Sequence, residues 1–457
     1  MHAPTAAPIP LDTLRARIRG QVLTADDDTY EAAAPGFYGG PSRRPGAIVR
    51  PIDATDVATV VGVARDHGLE LAVRSGGHSM LRHSSTQDGL LLDLSSLRGI
   101  EVEVADRTAW ADAGVLAGEL TAATAEHGLV VGFGDAPSVG VSGITLGGGV
   151  GYLSRAHGLT IDNLLAAEIV TADGRVRHVD ERREPELFWA LRGGGGNFGV
   201  VTRLRFRLHE LGPVQAGMLV LPATTDVVAG LVEITTEAED ELGVIANVML
   251  APPMPFLPPE LHGQRIVLAL LAHIGSPDTG RATVDRLRAL ATPLLDEVDV
   301  RPYGELFEEE PGGFHPRAVG RNFYRDHFDH RTAEEVLARL AASPADMAVV
   351  QLRALGGAID RVAPEATAYA HRGRRLMVNV AAMSMREGPL DAETAWADAA
   401  AAALREPGVE GAYVNFHGVE DDLTAVYPSP TLARLAAIKR RYDPDNLFRG
   451  NHNIAPA

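Results

Sequence analysis

The sequence predicts an α+β protein with two lobes, the second of which is built on an antiparallel sheet. Its 457 residues exceed the usual size of a single domain, which is about 100–200 residues. Hydrophobic residues make up 46% of the chain and charged residues 22%, so a packed core can form. Near residue 211 the pattern changes from short strands divided by glycine turns to longer strands that alternate with helices.

The regular structure of the first lobe is expected to include an amphipathic helix from Thr55 to Gly68. Its apolar residues recur at helical spacing, with Thr55 available as the N-cap and Gly68 as the stop. A tight hairpin is expected around Asp173-Gly174, and Pro185 suits the first turn of a helix that runs to Leu191. Alternation and turn residues predict the remaining elements: strands at 71–74, 90–94, 101–104, 167–171, 175–179 and 200–208, and a helix at 115–127.

The second lobe is expected to alternate strands with helices. The strands are 243–250, 265–274, 347–353 and 376–383, and the helices lie near 226–238, 278–292, 332–342 and 391–405. Prolines between 252 and 259 predict a loop, because proline cannot donate a hydrogen bond inside a sheet. The stretch from 304 to 324 is expected to be a second irregular segment, of the kind that often borders a ligand.

Charge and composition exclude several kinds of function. Acidic residues outnumber basic ones by 60 to 42, and the net charge of -18 disfavours nucleic acid and anionic membranes as partners. The absence of cysteine rules out disulfides, thiolate metal sites and cysteine nucleophiles. No window approaches the roughly 18–20 apolar residues of a membrane span, and no export signal is evident, so a cytoplasmic protein is expected.

Glycine is concentrated in three turns, at 76–77, 140–151 and 193–199, each beside β-like sequence. No G-x-G-x-x-G pattern lies between a strand and a helix, as a Rossmann site requires, and no G-x-x-x-x-G-K-[ST] phosphate-binding loop is present. Bare backbone in such turns can approach a diphosphate closely and bind it through N–H groups. Each turn could also serve only to reverse the chain. The three together favour a long anionic cofactor other than NAD or ATP.

Five stretches of the sequence resemble the berberine bridge enzyme-like oxidases, which belong to the vanillyl-alcohol oxidase superfamily. They are VRSGGHSM at 73–80, GDAPSVGVSGITLGGGVGYLS at 134–154, LFWALRGGGGNFGVVT at 187–202, AYVNF at 412–416 and KRRYDPDNLFRGNHNI at 439–454. The resemblance implies a PCMH-type FAD-binding domain with an inserted α+β substrate domain built on an antiparallel sheet. The implied limits are 1–210 for the FAD domain, with its core at about 43–210, then 211–410 for the substrate domain, and 411–457 for a segment that returns to the FAD domain.

In this family the histidine of the R-x-G-G-H turn is covalently joined to FAD, and that residue is His78 here. Many relatives add a second bond from a cysteine, whose place is taken by Ala136. The resemblance therefore implies FAD attached through one histidine. A lone histidine could also be an ordinary surface or core residue.

Other residues of the family motifs are implied to contact the cofactor. They are Arg74, Ser75, Gly76, Gly77, Ser79, His83, Ser84, Pro137, Val139, Gly140, Ser142, Gly143, Gly147, Gly148, Tyr152, Gly199, Val201, Asn451 and Asn453. Val139 stands where family oxidases carry a small residue that lets oxygen reach the reduced flavin, although it could also be an ordinary packed valine.

Candidates for the reaction come from two stretches of the chain. Tyr413 and Asn415 are two residues apart, so a strand would place both on one face, and in relatives this tyrosine approaches the substrate. Gln351 stands where many relatives carry a glutamate base, and an amide cannot accept a proton usefully. The base could then be Tyr413, ionised beside Arg353, or the reaction could need no strong base. Tyr413, Asn415 and Arg353 are the implied substrate contacts, although Gln351 and Arg353 could also be structural.

The expected activity is a two-electron oxidation of an alcohol, an amine or an activated carbon in a small organic molecule, with oxygen as the acceptor. Relatives act on sugars, alkaloids and polyketide-like compounds, and the composition slightly favours natural-product tailoring over sugar oxidation. A dehydrogenase or oxygenase on the same fold and a non-catalytic binding protein are the alternatives. No metal is expected, because His327 and His330 lack the flanking acid of H-E-x-x-H, and Glu308–Glu310 suits a solvated charge run. The oligomeric state is left open.

Overall fold

The computed structural model describes residues 8–40, 43–253, 257–307, 315–419 and 422–457. Within these ranges the helices are α1 Leu11–Arg17, α2 Tyr30–Ala33, α3 Ala54–Asp66, α4 Ala117–Ala125, α5 Val141–Gly147, α6 Ser154–His157, α7 Pro185–Leu191, α8 Thr225–Glu237, α9 Pro277–Arg288, α10 His330–Ala341, α11 Asp391–Leu404, α12 Leu423–Val426 and α13 Ser429–Tyr442. The strands are β1 Gln21–Leu23, β2 Ala47–Arg50, β3 Leu71–Arg74, β4 Leu90–Asp93, β5 Ile100–Glu103, β6 Thr108–Asp112, β7 Leu129–Val130, β8 Leu164–Val170, β9 Val176–Asp180, β10 Val200–Arg207, β11 His209–Glu210, β12 Val214–Pro222, β13 Leu242–Leu250, β14 Arg265–His273, β15 Leu295–Asp296, β16 Asp299–Arg301, β17 Arg317–Arg325, β18 Met347–Ala354 and β19 Leu376–Ser384.

Two larger sheets are built from the chain up to residue 210. Strands β1, β2, β4 and β3 form a four-stranded sheet in that order, in which β4 runs parallel to both β2 and β3. Strands β5, β6, β10, β8 and β9 form an antiparallel sheet of five. Helix α3 buries Val57, Val60 and Val61 in one core with Leu90 and Leu92 of β4, as the spacing of the valines predicts.

One long antiparallel sheet is built from residues 214–384. Its strand order is β15-β12-β14-β13-β18-β19-β17, and β16 also pairs with β12. Helices α8, α9, α10 and α11 cover one face with apolar side chains. Because successive residues of a strand point to opposite faces, the residues that alternate with this core, among them Asn247, Gln351 and Asn379, lie on the other face.

The segment after residue 422 packs on the first lobe. Helix α13 places Leu435 and Ile438 in the same apolar core as Leu187 and Phe188 of α7. The C-terminal motif that follows α13 is therefore carried to the glycine turn that follows α7.

Lys439 holds that arrangement together. It is fully buried, lies 2.7 Å from Asp443, and donates to the main-chain carbonyls of Asn197 and Phe448. A buried ammonium group must be paired and hydrogen-bonded to be tolerated. Lys439 thus joins the turn 193–199 to the segment near residue 448.

The structure corrects some of the predicted elements. The N-cap of α3 is Asp53 and not Thr55, because the Asp53 carboxylate accepts from the backbone N–H groups of Thr55 and Asp56. Strand β12 was not predicted, and β17 occupies most of the second half of the stretch that was expected to be irregular. Strand β17 is an edge strand with arginines at 317, 321 and 325, which hides its β pattern.

Some expectations stay untested. Residues 254–256 of the proline loop and Glu308–Glu310 lie outside the described residues. The domain limits at residues 210 and 410 remain predictions. Over the described ranges, no helix is long and apolar enough to cross a membrane.

Candidate active site

A cavity of about 680 Å³ lies between the glycine turns of the first lobe and the uncovered face of the eight-stranded sheet. Ligand sites usually measure about 300–1,000 Å³. We call the side made by residues 71–84, 134–150, 194–201 and 448–452 the first-lobe wall, and the side made by β13, β17, β18 and β19 the sheet wall. Residues 413–417 lie between the two walls.

Most residues implied by the family motifs line this cavity. They are Ser75, Gly76, Gly77, His78, Ser79, His83, Ser84, Val139, Gly140, Ser142, Gly143, Gly199, Val201, Gln351, Arg353, Tyr413, Asn415 and Asn451. Folding brings them together from widely separated parts of the chain. Their roles toward a cofactor or a substrate stay predictions.

Two of the predicted residues are buried away from the cavity. Arg74 lies beneath its own turn, where its guanidinium pairs with Asp93 at 3.0 Å. Tyr152 packs in an apolar cluster with Tyr303 and Phe307. Both side chains support the first-lobe wall from behind.

Pro137, Gly147, Gly148 and Asn453 do not line the cavity either. The two glycines are nevertheless required where they are. A Cβ at Gly147 would lie 2.0 Å from Oδ1 of Asn415, and one at Gly148 would lie 3.1 Å from the ring of Tyr413. Glycine at these positions therefore lets the predicted substrate contacts approach the first-lobe wall.

The first two glycine turns meet backbone to backbone. A Cβ at Gly76 would lie 2.2 Å from the nitrogen of Gly140, and a Cβ at Gly140 would lie 2.0 Å from Oγ of Ser75. Gly77 adopts a left-handed conformation with φ of +79°. The two turns therefore form one surface of exposed main chain, which a side chain at either glycine would break.

His78 lies half-buried on this surface. Its ring stacks on Phe37 with centroids 4.1 Å apart, and its Nε2 lies 2.9 Å from Oγ of Ser138. Burial lowers the pKa of His78 to about 4, against the opposing effects of Ser138 and of the negative charge of Asp135. The imidazole is therefore neutral and held in one orientation near pH 7, which is the form that can act as a nucleophile.

Arg353 and Asp135 join the two walls. Arg353 is 3% exposed, and its Nη2 donates to both oxygens of the Asp135 carboxylate, at 3.0 and 3.1 Å. Arg353 also donates to the Gln351 side-chain oxygen at 2.8 Å and to the Val150 carbonyl at 3.1 Å. Because each charge neutralises the other, neither is free to bind a charged ligand.

The sequence predicted a strand for Tyr413 and Asn415, and this is wrong: Tyr413 precedes the 3-10 turn Val414–Phe416. Its hydroxyl oxygen accepts from the backbone N–H of Gly149 at 2.9 Å and from Nδ2 of Asn415 at 2.8 Å. With both lone pairs occupied, its proton remains available for donation into the cavity. Burial raises the pKa of Tyr413 despite the opposing charge of Arg353, so the idea of an ionised Tyr413 base is wrong.

Four amide side chains form a row across the sheet wall. Asn247, Gln351, Asn379 and Asn322 are opposed in register on β13, β18, β19 and β17. Cross-strand partners share a face of the sheet. Gln351 donates to Oδ1 of Asn247 at 2.9 Å, and Asn322 accepts from the main-chain N–H of Tyr413. Across the described part of the chain, Oδ1 of Asn379 is buried without a partner.

Sequence reasoning missed several residues of the cavity: Asp135, Asn247, Asn379, His417 and His452. The two asparagines stand within otherwise apolar strands, and a buried amide in such a run is a signal that could have identified them. Nothing local marks His417. It is 7% exposed, burial lowers its pKa, and its Nε2 has no partner among the residues that the structure describes.

His327 and His330 are the two histidines that the sequence raised as possible metal ligands. Among the described residues, no group of three or more histidine or carboxylate side chains could hold an ion. His327 and His330 each lie beside one carboxylate, that of Glu406 at 2.7 Å and that of Asp226 at 3.3 Å.

The first-lobe wall fits a long cofactor that is bound mainly by main chain. Its glycine turns leave backbone exposed to the cavity, and Oδ1 of Asn451 is buried there with no partner in the described residues. A water molecule or a donor on a ligand would satisfy such an oxygen.

Sequence comparisons agree with this fit. Residues 45–180 match the family described as FAD binding domain, and residues 412–455 match the family described as berberine and berberine like. The chain is 34% identical over 455 residues to (R)-6-hydroxynicotine oxidase of Paenarthrobacter nicotinovorans, which covers 96% of this chain and 97% of that protein. It is 28% identical over 466 residues to an FAD-linked oxidoreductase of Bacillus subtilis (strain 168), with coverage of 97% and 98%.

Solved structures show the same fold. The crystal structure of 6-hydroxy-D-nicotine oxidase from Arthrobacter nicotinovorans matches with a TM-score of 0.85 at 31% identity, over 96% of this chain and 98% of that one. Xylooligosaccharide oxidase from Myceliophthora thermophila C1 matches with a TM-score of 0.86 at 22% identity, over 98% and 100%.

The fold and the glycine-lined cavity define an FAD-dependent oxidoreductase with a PCMH-type FAD-binding domain, which confirms the predicted fold class and enzyme class and FAD as the cofactor, while its covalent attachment stays a prediction. The chain belongs to the berberine bridge enzyme-like family of FAD-linked oxidoreductases.

Proposed function

We propose that this protein is an oxidase that holds FAD through one covalent bond to His78 and oxidises an alcohol, an amine or an activated carbon of a small organic molecule, with oxygen as the acceptor. The observation that carries the proposal is the cavity in which exposed main chain faces the amide row and Tyr413. The first-lobe wall would hold the cofactor, and the sheet wall would hold the substrate.

The state of His78 supports the covalent bond. Its imidazole is neutral because burial lowers its pKa to about 4, and contacts with Phe37 and Ser138 fix the ring. Ala136 stands at the place of the second linking residue, and the chain has no cysteine, so a thioether cannot form. FAD bound here would supply a two-electron acceptor for a hydride equivalent from a substrate carbon, with oxygen as the final acceptor.

The side chains at the cavity differ in their ability to donate a hydrogen bond to the substrate or to accept a proton from it. Tyr413 donates a hydrogen bond from its O–H to a polar atom of the substrate, because its oxygen already accepts two hydrogen bonds. The amide of Gln351 cannot take a proton, and the carboxylate of Asp135 is held by Arg353.

The character of the sheet wall supports an apolar organic substrate. Val349, Ala381 and Met383 line it beside the amide row, which suits a compact carbon skeleton better than a sugar. Val139 lines the first-lobe wall as a small residue, which supports oxygen as the acceptor. Reaction of the reduced protein with air, followed by stopped flow, separates a peroxide-forming oxidase from a dehydrogenase or an oxygenase.

Acid precipitation tests the covalent bond. The wild-type protein should give a yellow, fluorescent pellet, whereas His78→Ala should release all of its flavin to the supernatant. His83→Ala is the matched control, because His83 also lines the cavity and should leave the bond intact. If the wild-type supernatant carried all of the flavin, the covalent bond would be disproved.

A further inference from the structure

Asn379 is the member of the amide row whose side-chain oxygen accepts no hydrogen bond, although Nδ2 of the opposed Asn322 also has no partner among the described residues. Asn247 accepts a hydrogen bond from Gln351, Gln351 accepts one from Arg353, and Asn322 accepts one from the main chain of Tyr413. Asn379 is 8% exposed and lines the cavity, and its Oδ1 has no partner in the part of the chain that the structure describes. A buried acceptor of this kind lowers the free energy of a complex when a ligand supplies the donor.

The surroundings of Asn379 are apolar. Val349 and Ala381 are opposed in register next to the amide row, and Met383 lies one step further along the same face. Gly320 of the neighbouring strand lies beside Asn379, since a Cβ at Gly320 would be 3.7 Å from the Asn379 oxygen. The unpaired amide oxygen of Asn379 therefore borders an apolar surface, which can pack against the carbon skeleton of a substrate.

The charges of the cavity cancel. Along the described lining, Asp135 and Arg353 are the charged side chains, and they pair with each other. The histidines His78, His83, His417 and His452 also line it, and burial lowers the pKa of each. Neither an ammonium group nor a carboxylate of a ligand would find an opposite charge here.

We infer that Asn379 is the specificity-determining residue of the active site, and that its amide oxygen accepts a hydrogen bond from the hydroxyl of a neutral alcohol or phenol with an apolar body. The inference rests on the proposed function, because it takes the sheet wall as the substrate side of an FAD enzyme. It narrows the substrate from alcohols, amines and activated carbon to neutral hydroxyl compounds.

Thermal unfolding gives a first test that needs no substrate. Asn379→Leu removes an unpaired amide, so its Tm should equal or exceed that of the wild type. Asn322→Leu is the matched control in the same row, and it should lower the Tm because it leaves the main-chain N–H of Tyr413 without an acceptor. An equal loss of Tm in both variants would overturn the inference, since Asn379 would then be structural.

Ligand titration of the flavin-containing protein gives a second test. The probes are aryl alcohols and the corresponding amines, with benzyl alcohol and benzylamine as the smallest pair, and the readout is the flavin absorption spectrum at pH 7. The wild type should bind the alcohols about tenfold more tightly than the amines, and Asn379→Leu should weaken alcohol binding by about tenfold. Asn379→Asp should shift the preference toward the amines, because it adds a negative charge.

The outcomes separate this inference from the function on which it rests. Tighter binding of amines by the wild type, alcohol binding that does not change in Asn379→Leu, or no spectral change with any alcohol would each overturn the role of Asn379. Alcohols that bind without reducing the flavin under anaerobic conditions would leave Asn379 as the binding residue and remove oxidation of alcohols from the proposed function.

Discussion

The two walls of the cavity differ in the atoms that they present to a ligand. The first-lobe wall presents main chain, since turns such as that at Gly76 and Gly140 have no room for side chains. The sheet wall presents side chains, with Gln351 and Asn379 beside apolar residues. A hydrogen bond from main chain does not depend on the identity of the side chain, whereas strand residues that face the cavity can be exchanged with little change of the fold. The first-lobe wall therefore suits a constant cofactor, and the sheet wall can be adapted to different substrates.

The largest effect is expected where the two walls are joined. Arg353→Met would leave the Asp135 carboxylate, whose side chain is 27% exposed, without its partner. Removal of one member of a buried ion pair costs about 3–5 kcal/mol in the free energy of unfolding. Urea unfolding should show this loss, and the double variant Arg353→Met/Asp135→Asn should recover part of it.

The matched control for this prediction is an exposed ion pair. Arg361 and Asp240 lie 2.6 Å apart at the surface, so Arg361→Met should cost less than about 1 kcal/mol. Equal losses for Arg353→Met and Arg361→Met would show that the junction between the walls contributes no special stability.

A smaller effect, on rate, is expected at Tyr413, which lies between the walls. Tyr413→Phe removes the hydroxyl that donates a hydrogen bond into the cavity, so reduction of the flavin should slow by about tenfold to a hundredfold. Reoxidation by oxygen should not change. Anaerobic stopped flow with an aryl alcohol that reduces the wild type measures the first step, and mixing with air measures the second.

Tyr369→Phe is the control for Tyr413. The Tyr369 hydroxyl is buried and bonds to the Tyr324 hydroxyl at 2.9 Å, and its ring packs against Tyr413 without lining the cavity. Its removal should leave the rate of reduction within about twofold of the wild type. If both variants slowed reduction equally, the role of Tyr413 would be packing and not a hydrogen bond to the substrate.

The third effect depends on pH and should come from the histidines of the first-lobe wall. Burial lowers the pKa of His83 to about 4 and that of His452 to about 3. Below the ordinary pKa of about 6.5 the unfolded chain binds protons that the folded protein excludes, so the free energy of unfolding falls as pH decreases toward 4. Each such group contributes at most about 1.4 kcal/mol per pH unit.

His452→Gln checks this prediction by removing one of these groups. Urea unfolding between pH 7 and pH 4.5 should show a shallower loss of stability in the variant than in the wild type. Identical slopes would mean that folding does not lower the pKa of His452.

The difference between the walls also explains what the sequence could reveal. His78 and its turn were recognisable because a short run of residues carries the whole motif. The amide row was not, since Asn247, Gln351 and Asn379 meet only through the register of three strands. Tyr413 and Asn415 are neighbours as predicted, but through a 3-10 turn that the sequence did not indicate.

The segment that follows α13 has a consequence for biosynthesis. Asn197 donates to the carbonyl of His452 at 3.1 Å and accepts from the N–H of Ile454 at 2.9 Å, so residues made early and late in translation share one junction. The ribosome produces the whole eight-stranded sheet between them. The first-lobe wall is therefore complete only after residues near 452 have been synthesised, and until then its glycine turns lack the segment that completes the binding surface.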